Sequence, residues 1–209
     1  MRGRLITIEG LDGAGKSTLA TSLAAALEAR GCRVELLREP GGVEVSERIR
    51  ALVKDPGLAV SPRAEALLYA AARAQLVEEL LVPALASGAL LLLDRFVDSS
   101  LAYQGAGRAL GVEEIRVINR FATGGLQPDR TLLLRIVPAR GRARQAGRAQ
   151  APDRLEQEHD GFFEQVAAAY EALARAEPER MRTIDAEQPP EHVLRDALAA
   201  LGDLGLDGL

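Results

Sequence analysis

The chain has 209 residues and a formal charge of −4, from 26 basic and 30 acidic side chains. At roughly 100–200 residues per domain, residues 1–209 make one domain, and the single Cys32 excludes an internal disulfide framework. Charged residues at 27% and hydrophobic ones at 47% exclude a disordered chain, and the acidic balance excludes a general nucleic-acid binder. The longest apolar stretch, Ala89 to Leu93, is far short of a membrane span. The segment MRGRLITIEG runs into a strand pattern without the apolar core of a signal peptide, so a cytoplasmic protein is expected. Of the basic residues 24 are Arg and only Lys16 and Lys54 are Lys, so each lysine calls for a reason.

In chain order, Leu5 to Ile8 is a buried strand and Lys16 to Arg30 a helix stopped by Gly31. Val34 to Leu37 is a second strand, ended by the turn-rich Glu39-Pro40-Gly41-Gly42. Glu44 to Val53 is a short helix, and Ser61-Pro62 caps a long one from Arg63 through Leu81, which Pro83 kinks or restarts. Leu90 to Leu93 is apolar on both faces, as a central parallel strand requires. A helix from Val112 to Ala122, a break at Gly124-Gly125 and a strand from Thr131 to Ile136 follow. Residues 138–152, rich in Arg, Gly and Ala, form a mobile loop or short helix. Asp153 to Ala174 is helical, Met181 to Ile184 a strand and Glu191 to Leu201 the last helix, with 202–209 a frayed tail. This alternation predicts an α/β sandwich around a parallel sheet.

Gly10, Leu11, Asp12, Gly13, Ala14, Gly15, Lys16 and Ser17 fit G-x-x-x-x-G-K-[ST] between the first strand and first helix, with Thr18 opening the helix behind them. Glycines let backbone N–H groups converge on a phosphate, and the helix N-terminus adds positive potential. Lys16 supplies a compact charge for the β- and γ-phosphates, which explains a lysine in an arginine-rich chain. The loop predicts binding of a nucleoside triphosphate, ATP, with Mg²⁺ held by Ser17. Asp94, ending the Leu90 to Leu93 strand, is placed to hold the same ion; a helix N-cap is its alternative use. A GTPase would need N-K-x-D, but the one Asn, Asn119, precedes Arg120 and Phe121. Small size and the Arg-rich segment point toward a kinase of a small metabolite, closing over two substrates to exclude water.

Asp94-Arg95-Phe96-Val97-Asp98-Ser99-Ser100-Leu101-Ala102-Tyr103-Gln104 resembles the D-R-[aromatic]-x-x-S-x-x-A-Y-Q signature of thymidylate kinases. Arg38 to Gly42 resembles their R-E-P-G-G segment, Ala64 to Arg73 their A-E-x-L-L-[aromatic]-x-A-x-R helix, and Asp153 to Glu158 their D-R-x-E-x-E. With the phosphate loop these are five motifs in order, from residue 8 to about 170. The resemblance implies a P-loop nucleoside monophosphate kinase fold, with a five-stranded parallel sheet, flanking helices and a lid at about 139–153. It implies ATP- and Mg²⁺-dependent phosphorylation of dTMP to dTDP by a homodimer, without nucleic-acid or membrane partners. Another nucleoside monophosphate or deoxynucleoside kinase, or a non-catalytic ATP-binding regulator, is the alternative.

By the same resemblance Tyr69 stacks on the thymine ring and Arg73 donates to a base carbonyl. The family mostly has Phe where this chain has Tyr69, and the added hydroxyl needs a partner. Tyr69 and Arg73 share a helix face, and an aromatic core residue beside a surface arginine is the alternative. Ser99, Ser100 and Gln104 join the acceptor site, with Ser100 and Gln104 at the base edge if their stretch is helical. Tyr103 lies near the sugar, and Asp12 contacts its 3′-hydroxyl. Arg95 bridges the acceptor phosphate and the transferring group, a task for a bidentate guanidinium. Glu39, with Arg38, orders the acceptor pocket, although Pro40-Gly41-Gly42 also fits a tight turn.

Family members place an arginine either in the phosphate loop after its carboxylate or in the lid; with Gly13 after Asp12 and arginines in the lid, this chain resembles the second group. Arginines of the lid then act in cis on the transferred phosphoryl group. Arg154, beside Asp153, matches best, followed by Arg144 and Arg148. His159 and His192, without metal-ligand spacing, are surface residues.

Overall fold

The computed structural model describes residues 2–147 and 151–206. Five strands, β1 (Arg4–Gly10), β2 (Val34–Arg38), β3 (Leu90–Asp94), β4 (Arg130–Arg135) and β5 (Met181–Asp185), form an all-parallel sheet in the order β2-β3-β1-β4-β5. Nine α-helical segments accompany it among the described residues, from α1 (Lys16–Glu28) and α2 (Glu44–Lys54) to α9 (Pro190–Ala200). None is long and apolar enough to cross a membrane. The α/β sandwich expected from the alternation is therefore present.

Alternation along the central strands divides the core into two layers. Ile6, Ile8, Leu90 and Leu92 pack with Leu19, Leu23 and Leu27 of α1, and with Phe162 and Val166 of α8 (Asp160–Ala176). Leu5, Leu91 and Leu93 pack with Leu76, Leu81 and Phe96. A strand flanked by helices on both faces needs apolar side chains at every position, hence the four leucines of β3. The chain leaves β1 toward β2 on one side and β3 toward β4 on the other. A crevice therefore opens between the carboxyl ends of β1 and β3, where Ile8 pairs with Asp94.

Two helices depart from the expected run. α3 (Pro62–Leu76) widens into a π-helical turn at Val77–Leu81 before α4 (Val82–Ala86). Pro83, in the first turn of α4, has no N–H to continue an i→i−4 ladder, and the wider turn accommodates it. A second π-helical stretch, Leu101–Gly107, follows α5 (Val97–Ser100) and precedes α6 (Val112–Ala122). The expected loop or short helix at 138–152 contains α7 (Pro138–Ala146).

The expected helix from Asp153 begins only at Asp160. The Asp153 carboxylate accepts from the N–H groups of Leu155 and Glu156, each at 3.0 Å, and holds a turn instead. His159 is exposed and caps α8 by accepting from Phe162 N–H. The tail is not frayed through 206: Leu206 is buried, Cys32 Sγ donates to its carbonyl, and Arg130 holds Asp203 at 2.9 Å. Residues 207–209 lie outside the described residues.

Beneath the crevice one buried carboxylate joins three elements. Glu9 accepts from Phe96 N–H (2.7 Å), Ser99 N–H (3.3 Å), the Ser99 hydroxyl (2.5 Å) and the Tyr170 hydroxyl (2.8 Å), so β1, α5 and α8 share one anchor. Burial, then the nearby Asp98 carboxylate, pushes Glu9 up to about 7. The folded protein thus keeps a proton that the unfolded chain releases near its ordinary value of 4.5. Stability is expected to fall as pH rises through that window and to level off above 7. Thermal melts from pH 5 to 8 check this: the slope should shrink in Glu9→Gln, and an unchanged slope contradicts it.

Candidate active site

Gly10, Gly13 and Gly15 have φ of +137°, +80° and +93°, the left-handed region that lets the loop curl over the start of α1. Leu11 and Ala14 turn inward and are buried. Lys16 folds back so that Nζ donates to the carbonyls of Gly10 (3.1 Å) and Leu11 (2.9 Å) and lies 3.7 Å from Asp12. Burial, then the positive charge of Arg95, lowers Lys16 to about 8. Ser17 donates to Asp94 Oδ2 at 2.8 Å, so Asp94 serves the loop and not a helix N-cap.

The turn after β3 brings Arg95 over the loop. Its φ of +72° is rare for a residue with a side chain, and its N–H donates to Ile8 O to hold it there. Arg95 donates to Asp12 (2.6 Å), Tyr103 Oη (3.2 Å), Ser99 Oγ (3.0 Å) and Tyr170 Oη (3.4 Å), and its guanidinium lies 4.9 Å from the Tyr103 ring centroid. Asp12 also accepts from the Tyr103 hydroxyl at 3.0 Å. Burial alone would raise the Asp12 carboxyl, but Arg95 and Lys16 outweigh it and hold it well below the carboxylate range.

These groups line one end of a cavity of about 310 Å³, with Gly13, Gly15, Ser17 and Thr18 at its floor. Glu39, Pro40, Tyr69, Arg73, Ser99, Ser100, Tyr103 and Gln104 line the remainder, so the expected nucleotide and acceptor residues converge. Tyr69 is half-buried in the wall, and its hydroxyl makes no hydrogen bond among the described residues. Burial, then the Glu65 and Asp153 carboxylates, raises its phenol and keeps it neutral.

Arg73 is not the surface arginine of the alternative reading. It is 2% exposed and spends five N–H bonds within the protein. Two go to Glu39 (2.9 and 2.7 Å), one to Phe96 O, one to Ser100 Oγ and one to Asn119 Oδ1. A guanidinium has only five, so a base carbonyl must share one of them. Asn119, which donates onward to Ile115 O, is a supporting residue that its sequence neighbours do not reveal.

Among the described residues, the lid arginines are not brought to the phosphate loop. Arg144 donates to Ala186 O at 3.0 Å, while Arg140 and Arg142 pair with Glu187 and Asp160. Arg154 donates to Val53 O and lies 2.7 Å from the buried Glu65 carboxylate, in an ion pair without hydrogen-bond alignment. Each finds a nearer carbonyl or carboxylate. Arg148 lies outside the described residues.

Arg38, Arg50 and Lys54 do line the cavity, and of these Arg50 and Lys54 were not expected there. Arg50 donates to Pro40 O (2.8 Å) and Lys54 pairs with Asp153 (2.6 Å), which ties α2 to the segment after the lid. Their spacing of four on one helix is the sequence signal that marks them as a pair. The lid itself touches the loop through glycines: a Cβ on Gly13 would overlap the Gly141 carbonyl of α7, and one on Gly141 would lie 2.7 Å from Asp12 O.

A family model described as thymidylate kinase matches residues 8–197. A thymidylate kinase from Alkalilimnicola ehrlichii is 48% identical, over 99% of this chain and 97% of its own length. One from Lactobacillus delbrueckii subsp. bulgaricus is 48% identical over 90% of each chain, and one from Deinococcus radiodurans 47% over 98% of each. The chain belongs to the thymidylate kinase family.

Proposed function

We propose that the chain transfers the γ-phosphoryl group of ATP to dTMP, giving dTDP and ADP, with residues 1–209 as one catalytic unit. The observation that carries this reading is the single cavity joining the phosphate loop and Arg95 to the wall of Tyr69, Arg73, Ser100 and Gln104.

Lys16, the loop N–H groups and the N-terminus of α1 receive the triphosphate. Arg95 lies between this end and the acceptor side. It exchanges its bond to Asp12 for phosphate oxygens of both substrates, bidentate and in line. Asp12, released from Arg95, accepts the sugar 3′-hydroxyl beside Tyr103. Arg50 adds a positive charge on the Pro40 side of the acceptor phosphate. Catalysis is positioning and charge neutralisation without a covalent intermediate.

Ser17 and Asp94 offer hard oxygen donors side by side, which suits Mg²⁺. Among the described residues no cluster of three or more His, Cys, Asp or Glu could cage a metal, so phosphates and water complete such a site. Held by Ser17 and Asp94, Mg²⁺ would supply charge stabilisation to the triphosphate. Arg144 and Arg154 reach the phosphoryl group only if the lid segment repacks, and Arg154 would have to leave Glu65.

A homodimer is supported by apolar side chains on the long helices: Leu67 of α3 and Val117 and Phe121 of α6 are 57%, 68% and 92% exposed. The buried cysteine and small-nucleotide substrates fit a cytoplasmic location.

ADP release should be fastest with dTMP among dTMP, dUMP, CMP, UMP, AMP and thymidine; another best acceptor overturns the assignment. Arg95→Ala should lower kcat about 10³-fold, and a loss below tenfold contradicts its bridging role. Gly141→Ala, which adds no left-handed strain, should raise KM for ATP about tenfold by lifting α7 off the loop. Steady-state kinetics test this, and an unchanged KM separates the lid contact from ATP binding. Phe121→Asp should convert a dimer to monomer by light scattering, and an unchanged mass rejects the α6 interface.

A further inference from the structure

Glu65 is a fully buried carboxylate behind the cavity wall, and none of the roles above uses it. Its Oε1 accepts from Gln104 Nε2 (2.8 Å) and Arg108 Nε (3.3 Å). Its Oε2 accepts from Arg108 Nη2 (3.0 Å) and pairs with Arg154. A second carboxylate, Glu158, takes the other end of Arg108 at 2.6 Å, so two acids face two guanidiniums. An ionised carboxylate only accepts hydrogen bonds. Glu65 therefore fixes which way round the Gln104 amide sits, with NH₂ toward Glu65.

Gln104 is 2% exposed and lines the cavity. With Nε2 held on Glu65, Oε1 lies on the opposite side of the amide and accepts no hydrogen bond among the described residues. One helical turn earlier, Ser100 Oγ accepts from Arg73 at 3.0 Å, which leaves its own O–H to donate. The wall thus offers one acceptor and one donor. A thymine or uracil imide presents the complement, an N3–H donor beside a carbonyl acceptor. Cytosine presents an N3 lone pair and an amino group, so both contacts would oppose like with like.

We infer that Glu65 is a positioning residue that sets base specificity: it locks Gln104 with its carbonyl toward the cavity, so that an imide base is accepted and cytosine rejected. This rests on the reading of the cavity as the dTMP site. The same carboxylate holds Arg154, so base recognition and the root of the lid share one anchor.

The test compares kcat/KM for dTMP, dUMP and dCMP in the wild type, Glu65→Gln and Gln104→Met. A neutral amide at 65 permits either orientation of Gln104. Glu65→Gln is expected to reduce the dTMP-to-dCMP ratio about tenfold or more, mainly through KM for the acceptor, and to leave the dTMP-to-dUMP ratio unchanged. Gln104→Met should reduce the ratio similarly, and the double variant should lose no more than Gln104→Met alone. A merely structural role would depress all three acceptors equally and leave the ratios intact, which overturns the inference.

Should Glu65→Gln not fold, N3-methyl-dTMP tested as a competitor of the wild type decides the matter. It should compete at least tenfold more weakly than dTMP, and equal competition overturns the readout. A wild type that does not prefer dTMP over dCMP instead refutes the substrate assignment, which the first measurement reveals by itself.

Discussion

Two cations in a confined cavity repel each other, by about 4 kcal/mol at about 4 Å and an effective dielectric near 20, unless a negative group lies between them. Asp12 is that group. It accepts from Arg95, lies beside Lys16 and is steadied by Tyr103. The arrangement gathers the positive charge needed for phosphoryl transfer before any phosphate arrives. It also makes the carboxylate interchangeable with phosphate oxygen, since both meet the same donors. Burial and the neighbouring Arg95 lower Lys16, and an approaching anion favours its charged form again.

Charge balance alone does not fix geometry; the sheet does. Arg95 leaves β3 in a left-handed conformation, locked by its N–H on Ile8 O, while the next two turns hang from Glu9. A strained residue between a strand end and a carboxylate anchored on the neighbouring strand has little freedom to drift. The crevice between β1 and β3 is where parallel strands release their chains in opposite directions, so the two ends face each other without a loop between them.

Much of this was legible in the sequence because local rules carried it. Glycines at 10, 13 and 15 permit the left-handed backbone found there, and four leucines in β3 call for a strand covered on both faces. The convergence of Tyr69, Arg73, Ser100 and Gln104 on one cavity was implied by the family resemblance. What was hidden depends on contacts across the fold. A π-helical turn from Leu101 to Gly107 leaves no composition signal, yet it carries Tyr103 and Gln104. Asn119 acts through Arg73, from 46 residues away. The lid arginines look catalytic as a cluster, but Arg140, Arg144 and Arg154 are each claimed by a partner distant in the chain. Lys54, without an evident role in sequence, fastens α2 to Asp153.

The contact between Gly13 and Gly141 has a consequence for how the sequence can vary. A side chain at 13 and a helix seated at 141 claim the same volume. Any residue larger than glycine at either position therefore has to displace α7 from the phosphate loop or move the loop itself. Shape alone couples these two positions, distant in the chain and without side chains to join them.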